Sequence, residues 1–178
     1  MYPLPPHGHH PNFVGAKEAA TALLAHPQVQ AHRCLIVGAE RVLYPLRKQA
    51  LAAGVTLYLP DQKREGWYFR VTDPAGADLK RSRELGEPKL KPEGATAAVL
   101  ACVAADRAGG RLSKGFGWGR SGLPELGLVG LGLPTYTVAH RRMLKDALPC
   151  PPDSWVRLIG LPGEVVECVR SETDSRAP

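Results

Sequence analysis

The sequence predicts an α/β fold built on an open, mostly parallel sheet with helices on both faces. Three observations carry that reading. A strand, a helix and a second strand follow one another between Arg33 and Leu59, the order of a βαβ unit, whose crossover implies parallel pairing. The run Thr96–Ala104 (TAAVLACVA) is the most apolar in the chain, as a central strand buried on both faces should be. Further short apolar segments continue to Val169 with no internal repeat.

Taken in order, Met1–Pro11 is rich in Pro and His and reads as an extended tail. His7, His9 and His10 have no downstream ligand cluster to complete a metal site. Lys17–Ala25 is a helix, with Ala19, Ala20, Leu23 and Leu24 at helical spacing and Pro27 as its stop. Arg33–Val37 is a buried strand. Tyr44–Ala53 is a second helix with Leu46, Ala50 and Leu51 on its apolar face, ended by Gly54. Val55–Leu59 is a β-rich strand closed by Pro60. Gly66–Thr72 alternates and is aromatic, so it is a strand. Pro74–Gly94, charged and rich in Pro and Gly, is expected to be a long loop. After Thr96–Ala104 comes a Gly-rich turn, Asp106–Gly122. Leu133–Val138 is a strand and Arg141–Ala147 a short helix. Val156–Ile159 and Glu164–Val169 are late strands parted by Pro162-Gly163.

A chain of 178 residues is expected to form one domain, residues 12–170, with tails at 1–11 and 171–178. No apolar run approaches the ~20 residues that span a bilayer, so no membrane partner is expected. The start lacks the pattern of a secretory signal, which places the protein in the cytoplasm. Cys34, Cys102, Cys150 and Cys168 are too far apart for a C-x-x-C site, and the first two sit in apolar stretches as small hydrophobes. With 17 Pro, two Met and one Asn, the composition fits a thermophile, although a GC-rich genome gives the same bias.

The net charge of +6 is concentrated. Between Arg107 and Arg157 eight Lys/Arg face three acids, leaving +5. Localised positive charge points to an anionic ligand: nucleotide phosphate, polyglutamate or nucleic acid. A solvated basic face is the plain alternative.

The segment most suggestive of chemistry is Asp106–Arg120, DRAGGRLSKGFGWGR. It follows the most apolar strand, and ligands of open α/β sheets bind beyond the carboxyl ends of strands. Gly115, Gly117 and Gly119 let backbone N–H groups converge on an anion without Cβ interference. Arg111, Lys114 and Arg120 lie beside them to neutralise phosphate, and Phe116 and Trp118 offer faces for stacking on a flat ring. The spacing is neither a Walker loop nor the dinucleotide fingerprint, so a Gly-rich surface loop remains open on composition alone.

This segment, with the preceding VLACVAADRAGG, resembles the signature of the 5-formyltetrahydrofolate cyclo-ligases (methenyltetrahydrofolate synthetases). Their pattern is an apolar strand, then Ala-Phe-Asp, Gly, Arg-Leu-Gly, a Gly-rich run and Tyr-Tyr-Asp-Arg. Asp106, Arg111, Leu112, Gly115 and Gly117 match it. Lys114-Gly115 and Gly117-Trp118 fit the family's cyclo-ligase-related branch more closely. PNFVGA at Pro11–Ala16, Leu46-Arg47, LYLP at Leu57–Pro60 and Pro152-Asp153 extend the resemblance from about Pro11 to Cys168.

The resemblance implies a Rossmann-like three-layer fold of the NagB/RpiA/CoA-transferase-like kind. It also implies ATP-dependent closure of 5-formyltetrahydrofolate to 5,10-methenyltetrahydrofolate, with ATP and Mg2+ as cofactors. Arg111, Lys114 and Trp118 become the catalytic residues. Arg47, Gly115, Phe116, Gly117, Gly119 and Arg120 become the cofactor-binding set, with Arg47 neutralising a glutamate tail or a phosphate. Asp106 becomes the metal candidate. Arg120 stands where the family carries its metal-associated acid, and an Arg cannot ligate magnesium. A family member that binds nucleotide or folate without turnover is therefore the second expectation. The expected partners are a folate and ATP, in a monomer or homodimer. Nucleic acid ranks last, since no base-reading motif accompanies the basic pI. His140 at a strand end reads as an ordinary polar residue, and Asp153 as a family match or a turn cap.

Overall fold

The computed structural model describes residues 12–113 and 132–169. In chain order the elements are α1 (Ala16–Ala25), α2 (Pro27–Gln30), β1 (Cys34–Val37), a 3-10 turn (Arg41–Leu43), α3 (Tyr44–Ala52), β2 (Thr56–Pro60), β3 (Tyr68–Val71), a 3-10 turn (Pro74–Ala77), α4 (Leu79–Leu85) and β4 (Glu87–Lys89). They continue with β5 (Ala97–Val99), β6 (Ala104–Asp106), β7 (Gly110–Leu112), β8 (Thr135–Val138), a 3-10 turn (Arg141–Met143), β9 (Leu144–Lys145), β10 (Ser154–Trp155), β11 (Leu158–Leu161) and β12 (Glu164–Glu167).

Eight strands form the main sheet in the order β12-β11-β8-β5-β1-β2-β3-β4. The five central strands, β11 to β2, pair in parallel, and the flanking β12, β3 and β4 pair antiparallel. This is the expected α/β class with a mostly parallel sheet. Alternation along the strands divides the core. Leu35, Val37, Leu57, Leu59, Phe69, Val71, Val99 and Val138 share one buried cluster with Leu23, Leu46 and Leu51 of α1 and α3. Ile36, Tyr58, Tyr68, Ala98 and Leu100 form a smaller cluster on the opposite face. α1 lies directly on β11. A Cβ on Gly160 would come within 2.8 Å of the Ala19 carbonyl oxygen and of Leu23 Cβ, so only glycine permits that approach.

Four strands form a second, small sheet, β10-β7-β6-β9. Its β6–β7 hairpin turns at Gly109, whose φ is +98°. Burial, not local pattern, creates this sheet, and it corrects two expectations. The apolar run Thr96–Ala104 is not one strand. β5 ends at Val99 and the chain reaches β6 of the second sheet at Ala104. The break follows from Arg111, whose guanidinium donates from Nε and Nη2 to the Ala101 carbonyl and takes the place of a ladder partner. Arg141–Ala147 is not a helix either. His140 Nδ1 accepts from the Arg142 amide and caps a 3-10 turn, and Leu144-Lys145 then extends to pair with Ala105-Asp106.

Pro74–Gly94 is likewise not a loop. Asp73 accepts from the Ala75 amide and caps the 3-10 turn; Asp78 accepts from the Lys80 amide and caps α4. β4 then pairs with β3. Pro27 stops α1 but also opens α2 at its first turn, where a missing N–H costs nothing.

Candidate functional site

The order of the sheet reverses at β1. From there the chain passes outward to β2, whereas β5 lies on the other side. Such a switch point opens a crevice beyond the carboxyl ends of the strands. A cleft of about 970 Å3 is present there. Ala39, just past β1, is at its floor. The starts of α1 and α3 and the Asp78–Lys80 segment are its walls.

Four cations and two carboxylates line it: Lys17, Arg41, Arg47 and Lys80 against Glu18 and Asp78, a formal 4 − 2 = +2. Gly15 precedes α1 in the left-handed region, at φ +101°, and supplies no side-chain cap. The Lys17 and Glu18 amides therefore have no intrahelical acceptor, and the helix start adds its positive end to the cations. Tyr44, 40% exposed, brings a flat ring to the same wall. An anionic ligand with a planar group suits this arrangement.

Arg47 lines this cleft but is 2% exposed and firmly held. Nη1 donates to the Gly38 and Glu40 carbonyls (both 2.9 Å) and Nε to Ala77 (3.1 Å). Only the Nη2 edge lies outside these bonds. Burial lowers its pKa to about 10, opposed by Glu40, Tyr44 and Asp78. Arg47 thus shapes the cleft floor by tying the turn after β1 to the 3-10 turn before α4.

Arg111 lies past the end of β5, 1% exposed. Besides Ala101 it binds Ser154 Oγ (3.0 Å) through Nη1, which is 3.7 Å from Asp153 Oδ1. Asp153 Oδ2 accepts from the Ser113 amide (2.9 Å) and hydroxyl (2.6 Å). Burial lowers the Arg111 pKa, while Asp153, Cys102 and Glu40 raise it. Glu40 acts on both buried arginines: its carbonyl accepts from Arg47 and its charge raises the Arg111 pKa. The Arg111 guanidinium is committed to the scaffold, and Asp153 is more than a turn cap: it holds the chain at Ser113.

Asp106 sits at the far end of β6. Its Oδ1 accepts from the Gly110 amide at 2.8 Å and stabilises the hairpin, and it adds to the burial that pushes Cys168 up to about 12. Among the described residues no group of three or more His, Cys, Asp or Glu side chains is placed to hold a metal ion. His140 caps its 3-10 turn and packs edge-on against Phe13, with ring centroids 5.8 Å apart. Lys114, Gly115, Phe116, Gly117, Trp118, Gly119 and Arg120 lie outside the described residues.

Arg41, Tyr44 and Lys80 were not legible as site residues. Arg41 and Tyr44 begin the helical segment after β1, the place where a switch-point argument looks for ligand contacts. Lys80 had no such signal, because its segment reads as a loop.

This is the fold of a solved methenyltetrahydrofolate synthetase. The 5,10-methenyltetrahydrofolate synthetase of Aquifex aeolicus matches with a TM-score of 0.64 at 22% identity, covering 89% of this chain and 83% of that one. A 5,10-methenyltetrahydrofolate synthetase from Mycoplasma pneumoniae is similar at a TM-score of 0.49 and 13% identity, over 82% of this chain and 83% of that one. No family model and no curated protein matches the chain. At this identity the likeness is one of fold. No helix among the described residues is long and apolar enough to cross a membrane.

Proposed function

We propose that this chain is a divergent member of the 5-formyltetrahydrofolate cyclo-ligase family that converts 5-formyltetrahydrofolate to 5,10-methenyltetrahydrofolate at the expense of ATP. The observation that carries this is the cationic switch-point cleft on a fold shared with a methenyltetrahydrofolate synthetase. Lys17, Arg41 and Lys80 suit the phosphates of a nucleotide or the carboxylates of a folate, and Tyr44 suits a planar ring. ATP would supply the phosphoryl group that makes the formyl oxygen a leaving group. The chain's own residues bind and orient. The lysines and Arg41 fix the anion, the α1 start donates N–H groups, and Arg47 keeps the floor in place through its carbonyl contacts.

Magnesium is commonly held by one or two carboxylates together with the nucleotide's own phosphates; Glu18 and Asp78 are the carboxylates of the cleft and would stand beside it there, whereas Asp106 is committed to its hairpin. A second reading, binding without turnover, is favoured by the Arg111 guanidinium, which is spent on Ala101 and Ser154. Optical detection of 5,10-methenyltetrahydrofolate with ATP and magnesium separates the two. Product formation supports the ligase. A rise in melting temperature with ATP or folate but no product supports the binder.

A further inference from the structure

Beside the main cleft, past the end of β2, is a separate pocket of about 330 Å3 lined by Lys63, Lys80, Arg83 and Asp61. We propose that it is a second anion site, built to take a phosphate or carboxylate group against a preset guanidinium.

The argument begins with Asp61, whose side chain is fully buried. Its Oδ1 accepts from Arg83 Nη2 (2.7 Å) and the Lys63 amide (2.9 Å), and its Oδ2 accepts from Arg64 Nε (3.2 Å). Burial pushes the carboxyl up, but these donors and charges outweigh it and hold it below the usual carboxylate range. One buried carboxylate therefore faces two guanidiniums and neutralises only one.

Both arginines are also seated on rings. Arg83 lies 5.3 Å from the centroid of Phe69, and Arg64 lies 4.3 Å from that of Trp67. A guanidinium fixed by a carboxylate on one edge and an aromatic face below loses little further freedom when an anion arrives. Among the described residues, Arg83 Nε and Nη1 carry no protein partner, and neither Lys63 nor Lys80 forms an ion pair. Counting the lining residues, three cations against Asp61 leave 3 − 1 = +2 around a small concave space. Unpartnered donors on a preset frame are the makings of an oxyanion site. Lys80 and Gln62 also line the main cleft, so the two spaces adjoin. The proposal does not depend on the cyclo-ligase reading, and failure of the optical assay leaves it standing.

The test is calorimetric titration of the full chain at low salt with two probes, inorganic pyrophosphate and tricarballylate, which separate phosphate from carboxylate preference. Saturable binding of either probe is expected. It should weaken about 3- to 10-fold in both Arg83→Gln and Lys63→Met, the scale of one lost charge-assisted contact at a partly exposed site. Lys145→Met, an exposed cation on β9 outside both spaces, should leave it unchanged. Lys63 is exposed, so its variant decides the matter if Arg83→Gln fails to fold. No saturable binding, wild-type affinity in Lys63→Met, or an equal loss in Lys145→Met would overturn the proposal.

Discussion

The guanidinium of Arg111 and the carboxylate of Asp153 lie 3.7 Å apart, with the arginine 1% exposed and the aspartate side chain 11%. Removing one partner of such a pair leaves a buried charge without compensation. Asp153→Ala should therefore destabilise the protein by about 3–5 kcal/mol. The measurement is the midpoint of chemical denaturation, and an unmoved midpoint would refute the assigned role. Asp153→Asn keeps the size and an acceptor for Ser113, and should cost less.

Tyr68 is 2% exposed, and its hydroxyl has no hydrogen-bond partner among the described residues. An unsatisfied buried hydroxyl carries a desolvation penalty of about 1–3 kcal/mol. Tyr68→Phe removes the oxygen and keeps the edge-on packing on Tyr58, at 6.2 Å between centroids. The variant should melt at or above the wild-type temperature. A clear loss of stability would mean that the hydroxyl has a partner.

His32 bonds Thr96 Oγ1 (2.7 Å) and the Tyr136 hydroxyl (3.0 Å). Burial, and secondarily the charge of Arg157, lower its pKa below the ordinary 6.5. The folded state then binds fewer protons than the unfolded one, so this contribution is present above pH 6.5. It declines as the pH falls from there toward the folded value. Between pH 7.5 and 5 the wild type should lose more stability than His32→Gln. Parallel pH profiles in denaturant melts would contradict this.

Lys17 and Arg41 reach the main cleft from exposed positions. Replacing either with Met should weaken ATP binding about 3- to 10-fold. Stability should shift by no more than about 0.5 kcal/mol. Arg47→Met differs in kind, since it removes three bonds to backbone carbonyls, two of them buried; it should lower the melting temperature as well as the affinity. Unchanged affinity in both exposed variants would remove the cleft from consideration as the nucleotide site.

The parts of the fold that were legible are those specified by short-range pattern. Ala19, Ala20 and Leu23 all point into the core from α1, and VTLYL forms β2 within a residue of its expected bounds. The misses are contacts made at a distance or by capping. Nothing in TAAVLACVA marks the exit at Leu100, because the cause is Arg111 and both sheets bury the run. Asp73 and Asp78 start helical turns inside a charged stretch, where hydropathy carries no period. Of the residues lining the cleft, Arg47 is singled out by the sequence. Lys17, Arg41, Tyr44 and Lys80 meet only once the sheet is assembled, and the expected residues Lys114–Arg120 lie outside the described ones.

The two rims of the main sheet carry a consequence for self-association. One rim, β4, is three residues long, with Pro88 between Glu87 and Lys89; the other, β12, begins and ends with exposed glutamates. A proline withholds a donor, and both glutamates are already engaged, Glu164 by Arg141 and Glu167 by His26. Two copies aligned rim to rim would thus meet side chains held in ion pairs at one margin and a gap in the hydrogen-bond ladder at the other. Self-pairing along the β4 rim is thereby disfavoured.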